Sequence, residues 1–176
     1  MDTRRIVTRL TSQAMEIGCL TGGALGALYG VLLPVGFVLV MLFYSGSTES
    51  IDAAVIFGLY GGTIGLFIGG IVGVLAGLAL GLINGLAVAM LTIVRYTPIA
   101  DPHAYRWSVR LVSISITLLG ILLVLLVLGR VPHKSSEFYF VGIPLLLTPP
   151  SAWSSGGRLA DWYLTQLGKT VEPAPA

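Results

Sequence analysis

Few side chains in this sequence could carry chemistry, and their spacing limits what they could do. Asp101 and His103 flank Pro102, and Arg95, Arg106 and Arg110 lie close by. A carboxylate beside an imidazole could move a proton or hold a metal, but this setting reads as a solvated loop, as does that of His133. Glu16 and Glu137 fall at the ends of apolar runs rather than deep inside them. Buried charge is the usual mark of a proton relay, ion path or catalytic centre in a membrane. No HExxH, no pair of glutamates and no Gly-x-Ser-x-Gly elbow occurs, so neither a zinc enzyme nor an intramembrane protease is expected. The residues assign no catalytic, cofactor or metal site, and the expectation is a protein that is not an enzyme and needs no cofactor.

Milder polar groups remain. Cys19 is the single cysteine, which excludes an internal disulfide framework. Residues 1–16 before it are polar rather than apolar, unlike a lipoprotein cleavage site, so Cys19 reads as a small packing residue. Asn84 is the most polar side chain well inside an apolar run, with Thr63 and Thr21 as weaker cases. Such groups either bond across helices, contributing ~0.6–2 kcal/mol, or line a polar path. Ser113 and Thr117, one turn apart, are expected to bond back to their own helix.

The most specific pattern is glycine at every fourth position: Gly61, Gly65, Gly69, Gly73, Gly77, Gly81 and Gly85, with a shorter series at Gly18, Gly22, Gly26 and Gly30. Glycine lowers helix stability by ~1 kcal/mol against alanine in water, so the series needs a compensating role. In lipid, helices gain nothing from burying apolar surface against each other. Small residues at this spacing let their backbones approach and gain van der Waals contact. No soluble strand precedes these glycines and no Gly-Lys-Ser/Thr follows, so they are not a phosphate loop.

The elements that must carry these residues are apolar helices. Of 176 residues, 55% are hydrophobic and 10% charged, where a soluble domain has roughly 25% charged. Residues 17–48, 53–94, 111–129 and 138–157 contain no Asp, Glu, Lys or Arg. About 20 apolar residues span ~30 Å of hydrocarbon, and there the backbone must satisfy its own hydrogen bonds. The expected fold is an all-α integral membrane protein, a polytopic bundle of about four transmembrane helices with glycine-every-fourth packing faces. The spans are placed at about 17–44, 60–94, 109–129 and 136–153, within a membrane domain of residues 17–155. Residues 1–16 are expected as a cytoplasmic segment. The run from Ile17 exceeds a signal-peptide core of 7–15 residues and is expected to be a retained anchor.

Residues 53–94 are the open point, since they could instead turn at Gly69-Gly70 and make five spans. With one crossing, eight Lys and Arg residues fall inside and only Arg130 and Lys134 outside; with a hairpin the division is five and five. Cytoplasmic segments concentrate Lys and Arg, so one crossing fits better, with both termini inside. Residues 51–60 then form an interfacial lead-in. Pro149-Pro150 should end the fourth span. Leu159, Tyr163 and Leu167, at i, i+4 and i+8, suggest a short amphipathic helix on the inner membrane surface. A disordered tail, TVEPAPA, is expected after it.

In this arrangement helices one and two are antiparallel and Gly18–Gly30 faces Gly77–Gly85. The Gly61–Gly73 face is left for another helix, a second copy or a membrane-protein partner. The expected function is an accessory or scaffold subunit assembled through glycine-mediated packing. The alternative is a small channel or transporter component with a polar path near Asn84 and Thr63. A formal charge of +2 without a basic, aromatic-studded stripe gives no reason to expect nucleic acid. The lipid bilayer itself is the expected surrounding, and a bacterial cytoplasmic membrane the expected location.

Overall fold

A computed structural model describes residues 3–45, 49–97, 99–127 and 135–168. Among them there are four helices and no strand: α1 (Thr3–Ser45), α2 (Glu49–Arg95), α3 (Pro102–Val127) and α4 (Ser135–Gln166). Three are long and apolar enough to cross a bilayer, with candidate spans Thr3–Val40, Ala54–Arg95 and Pro102–Leu123. In α4 part of the expected span at 136–153 lies outside the described side chains. His133, expected in a loop, and the expected tail TVEPAPA also lie outside the described residues.

The 47-residue α2 runs without a break through Gly69-Gly70, so the five-helix alternative is excluded. Glycine costs helix stability but does not end a helix when the flanking residues are Leu, Ile, Val and Ala. The segment before Tyr60, expected as an interfacial lead-in, is already part of the same helix from Glu49.

The chain divides into two compact units, Cys19–Gly77 and the pair of segments Met1–Gly18 and Leu78–Ala176. In the first, α1 and α2 pack antiparallel through their glycines. A Cβ built on Gly26 would fall on the carbonyl oxygen of Gly69, and one on Gly30 on that of Gly65; one on Gly22 would meet that of Gly73. Gly61 faces Pro34, whose Cβ would lie 3.0 Å from an added methyl. Phe37 and Phe57 stack in a tilted pair at 5.7 Å.

This register corrects the sequence expectation. Of the two series expected to face each other, Gly22 does lie against Gly77, but Gly26 and Gly30 lie against Gly69 and Gly65, so α1 of the same chain occupies the Gly61–Gly73 face. The three Gly–Gly pairs have residue numbers that each total 95. That total lies within one residue of the sum for the two facing helix ends, Ser45 of α1 and Glu49 of α2. Equal rise per residue on both arms of an antiparallel pair keeps the total fixed at twice the midpoint. Reading residues 51–60 as a lead-in moved that midpoint and shifted the whole register.

The second unit holds the buried core. Ile6, Leu10 and Ala14 of α1 meet Val88 and Ala89 of α2, Tyr105 and Val109 of α3, and Leu159, Ala160, Tyr163 and Leu164 of α4, with Ile99 between α2 and α3. Here Gly81 packs on Ala14 and Met15, and Gly85 on Thr11 and Leu10. The expected cytoplasmic segment, residues 1–16, is helical from Thr3 as the first turns of α1. Residues 158–167, expected as a short amphipathic helix, lie at the end of α4, which continues through Pro149-Pro150 to Gln166, with Leu159 and Tyr163 in the buried core. Each proline removes one backbone donor, so the carbonyls of Leu145 and Leu146, four residues back, lose their helical partners while the helix continues. Ser151 donates back to the Thr148 carbonyl at 2.8 Å.

Candidate functional site

Polar side chains gather where α3 and the second half of α4 pack. The start of α3 is set by Asp101-Pro102. The Asp101 carboxylate accepts from the amides of His103 at 2.8 Å and Ala104 at 3.1 Å, two donors that no preceding turn can satisfy. Pro102 occupies the first helical position, where its missing N–H costs nothing. Asp101 is thus a helix cap, and His103 accepts through Nε2 from the Trp107 indole at 3.1 Å.

That start fixes the phase of α3, so that Arg106 and Arg110, one turn apart, both reach α4. Arg106 donates to Asp161 at 2.8 Å. The pair is partly exposed, so solvent screens it and its stability contribution is at most ~1 kcal/mol. Arg110 lies over the Trp153 ring, 4.9 Å from its centroid, and Trp107 meets Trp153 edge-on at 4.9 Å. Glycines on α4 make the room. A Cβ on Gly157 would lie 2.9 Å from Arg110 Nε, and one on Gly156 2.7 Å from Ser113 Oγ.

A second set of polar contacts joins the helices below this cluster. Ser113 donates to the Asn84 side-chain carbonyl at 3.1 Å, tying α3 to α2. Thr92 donates to the Val88 carbonyl at 2.7 Å, so its single proton is used and the buried Tyr105 hydroxyl must donate to Thr92 Oγ1 at 3.0 Å. The Tyr96 hydroxyl meets Ser108 Oγ at 2.7 Å. Tyr163 lies 6.0 Å from Tyr105 between ring centroids, and burial raises its hydroxyl pKa above the ordinary value near 10.

The residues singled out from sequence fall as follows. Asn84 takes part in an interhelical bond. Thr63 donates back to the Leu59 carbonyl at 2.8 Å, and Thr117 back to that of Ser113 at 2.9 Å. Ser113 was expected to bond to its own helix and bonds across instead. Cys19 is half-buried. Among the described residues no three His, Cys, Asp or Glu side chains converge.

The Arg106–Asp161 and Arg110–Trp153 contacts were missed from sequence. Arg106, Trp107 and Arg110 are visible there as an interfacial group, but their partners lie some forty residues or more away, and no local periodicity encodes them. No protein-family model matches the chain, and comparison with characterised proteins and with solved structures gives no match.

Proposed function

We propose that this is a non-enzymatic integral membrane protein that works as an accessory or scaffold subunit. The carrying observation is the length of uncharged helix in α2. Residues 53–94 contain 42 residues without a charge, ~63 Å of helix against ~30 Å of hydrocarbon. Even at a tilt of ~40°, the upper end of the usual range, a span uses only ~26 residues. Large apolar side chains are exposed toward both ends of the run, from Ile56, Phe57 and Leu59 to Met90 and Val94. Lipid cannot cover all of them, so another protein surface covers the remainder.

The Gly61–Gly73 face is filled by α1, so the docking surface is the opposite one. Ile64, Phe67, Ile68, Ile71 and Leu75 are exposed at helical spacing and form a continuous apolar stripe. The arginine-rich ends, Arg4, Arg5 and Arg9 with Arg95, Arg106 and Arg110, support an inside N-terminus; the location proposed with it is a bacterial cytoplasmic membrane. A channel or transporter role would need Asn84 and Thr63 on a polar path, and their internal hydrogen bonds weigh against it.

The test places a photo-crosslinker at Leu59, Ile71 or Met90, one at a time, in native membranes. Adducts to protein, either a second copy or another chain, support the reading. Adducts to lipid alone, with the protein folded, refute it.

A further inference from the structure

We infer that the α3–α4 cluster holds the phosphate headgroup of an anionic phospholipid, with Arg110 as its principal donor. Arg106 is already matched by Asp161. Among the described residues Arg110 has no such carboxylate: its guanidinium carbon lies over the Trp153 ring, 4.9 Å from the centroid, and its Nε, like that of Arg106, is buried without a protein acceptor. A planar fork of donors held in one orientation suits the oxygens of a phosphate. The orientation is built in, because Gly156 and Gly157 leave the space the arginine occupies and a side chain at Gly157 would meet its guanidinium. Arg158, the next residue of α4, is exposed.

The position favours a lipid over free phosphate. Arg110 is the last charge before the uncharged run 111–129, which places it at the boundary of the hydrocarbon when α3 spans. Trp107 and Trp153 sit beside it, and tryptophan concentrates at that level. From there Trp107, Leu111, Leu118 and Leu122 are all exposed and fall within ~60° of one another around α3. They form a strip along which an acyl chain can lie while its headgroup stays at Arg110. Free phosphate would gain nothing from that strip.

The experiment uses the full chain in detergent micelles, titrated with dioleoyl phosphatidylglycerol or dioleoyl phosphatidylcholine and read by native mass spectrometry. The wild type should retain one phosphatidylglycerol roughly tenfold better than phosphatidylcholine. Arg110→Gln should remove that preference, Arg110→Lys should keep part of it, and Arg95→Gln, at the exposed end of α2, should leave it intact. Equal retention of both lipids by the wild type overturns the inference, and this arm needs no folded variant. So does an undiminished preference in folded Arg110→Gln. Displacement of the lipid by an equal concentration of inorganic phosphate would make this a soluble-anion site and overturn the lipid assignment.

Discussion

Replacing Gly26 by alanine should destabilise the α1–α2 pair, although alanine is the better helix former. The added methyl would fall on the Gly69 carbonyl oxygen and lie 2.8 Å from Gly73 Cα and 2.9 Å from Gly69 C. Ordinary contact for such an atom begins at 3.4 Å. The obstructing atoms are backbone, fixed by the hydrogen bonds of their own helix, so the helices must separate by about half an ångström or more, enough to forfeit a quarter to a half of each dispersion contact. Three Gly–Gly pairs with about ten atom pairs each, at ~0.15 kcal/mol, place ~4–5 kcal/mol at stake. The expected loss is ~1–2 kcal/mol, with about another 1 kcal/mol from weakened Cα–H···O contacts. Helix propensity returns at most ~1 kcal/mol, leaving a net loss of ~1–2 kcal/mol. Gly62 provides the control, since a Cβ there meets nothing within 4 Å; Gly62→Ala should be neutral or gain up to ~1 kcal/mol. Reversible unfolding in mixed micelles, followed by circular dichroism over a rising SDS fraction, compares the two. If Gly26→Ala resists SDS as well as Gly62→Ala does, close backbone contact does not hold this pair.

Other expected outcomes rest on single contacts in the second unit. Asn84→Leu and Ser113→Ala should each cost ~0.6–2 kcal/mol, and the double variant about the same as either alone; additive losses would show that the two side chains do not interact. Asp101→Ala should cost ~1 kcal/mol by uncapping α3, while Asp101→Asn should cost little; equal losses in thermal melts would contradict the capping role. Burial raises the Tyr163 pKa above its ordinary 10, so the folded protein holds this proton after the unfolded chain has lost it. Stability from this group is therefore complete below about pH 10 and falls as pH rises beyond it. Tyr163→Phe should make alkaline melting curves less steep in pH, and an unchanged slope would refute the assignment.

The helical class and the four segments were legible because charge is excluded from four runs of sequence. The glycine series was legible as packing, but its register was not, since that depends on where α1 ends and α2 begins. Ile6, Leu10 and Ala14 recur at four-residue spacing, a readable helical stripe, yet Arg4, Arg5 and Arg9 between them gave the segment the look of a polar tail. The stripe on residues 159–167 was legible as a stripe, and its Leu159 and Tyr163 lie in the protein core. Sequence periodicity says that a face is buried; it does not say whether lipid or protein buries it. Arg110 illustrates a third limit: its role depends on Trp153, Gly156 and Gly157, and only the folded chain brings them to α3.

The constant total of the facing glycine pairs has a consequence for how this sequence can change over time. Deleting one residue from either arm would move every glycine beyond that point by ~100° around its helix and present leucine or isoleucine backbones where bare ones must meet. Substitution at most outward positions disturbs nothing comparable. Lineages of this protein should therefore accept many exchanges of one apolar residue for another while keeping the spacing between Gly22 and Gly73 fixed. Length variation should survive only as matched changes in both arms, or in the turn between them.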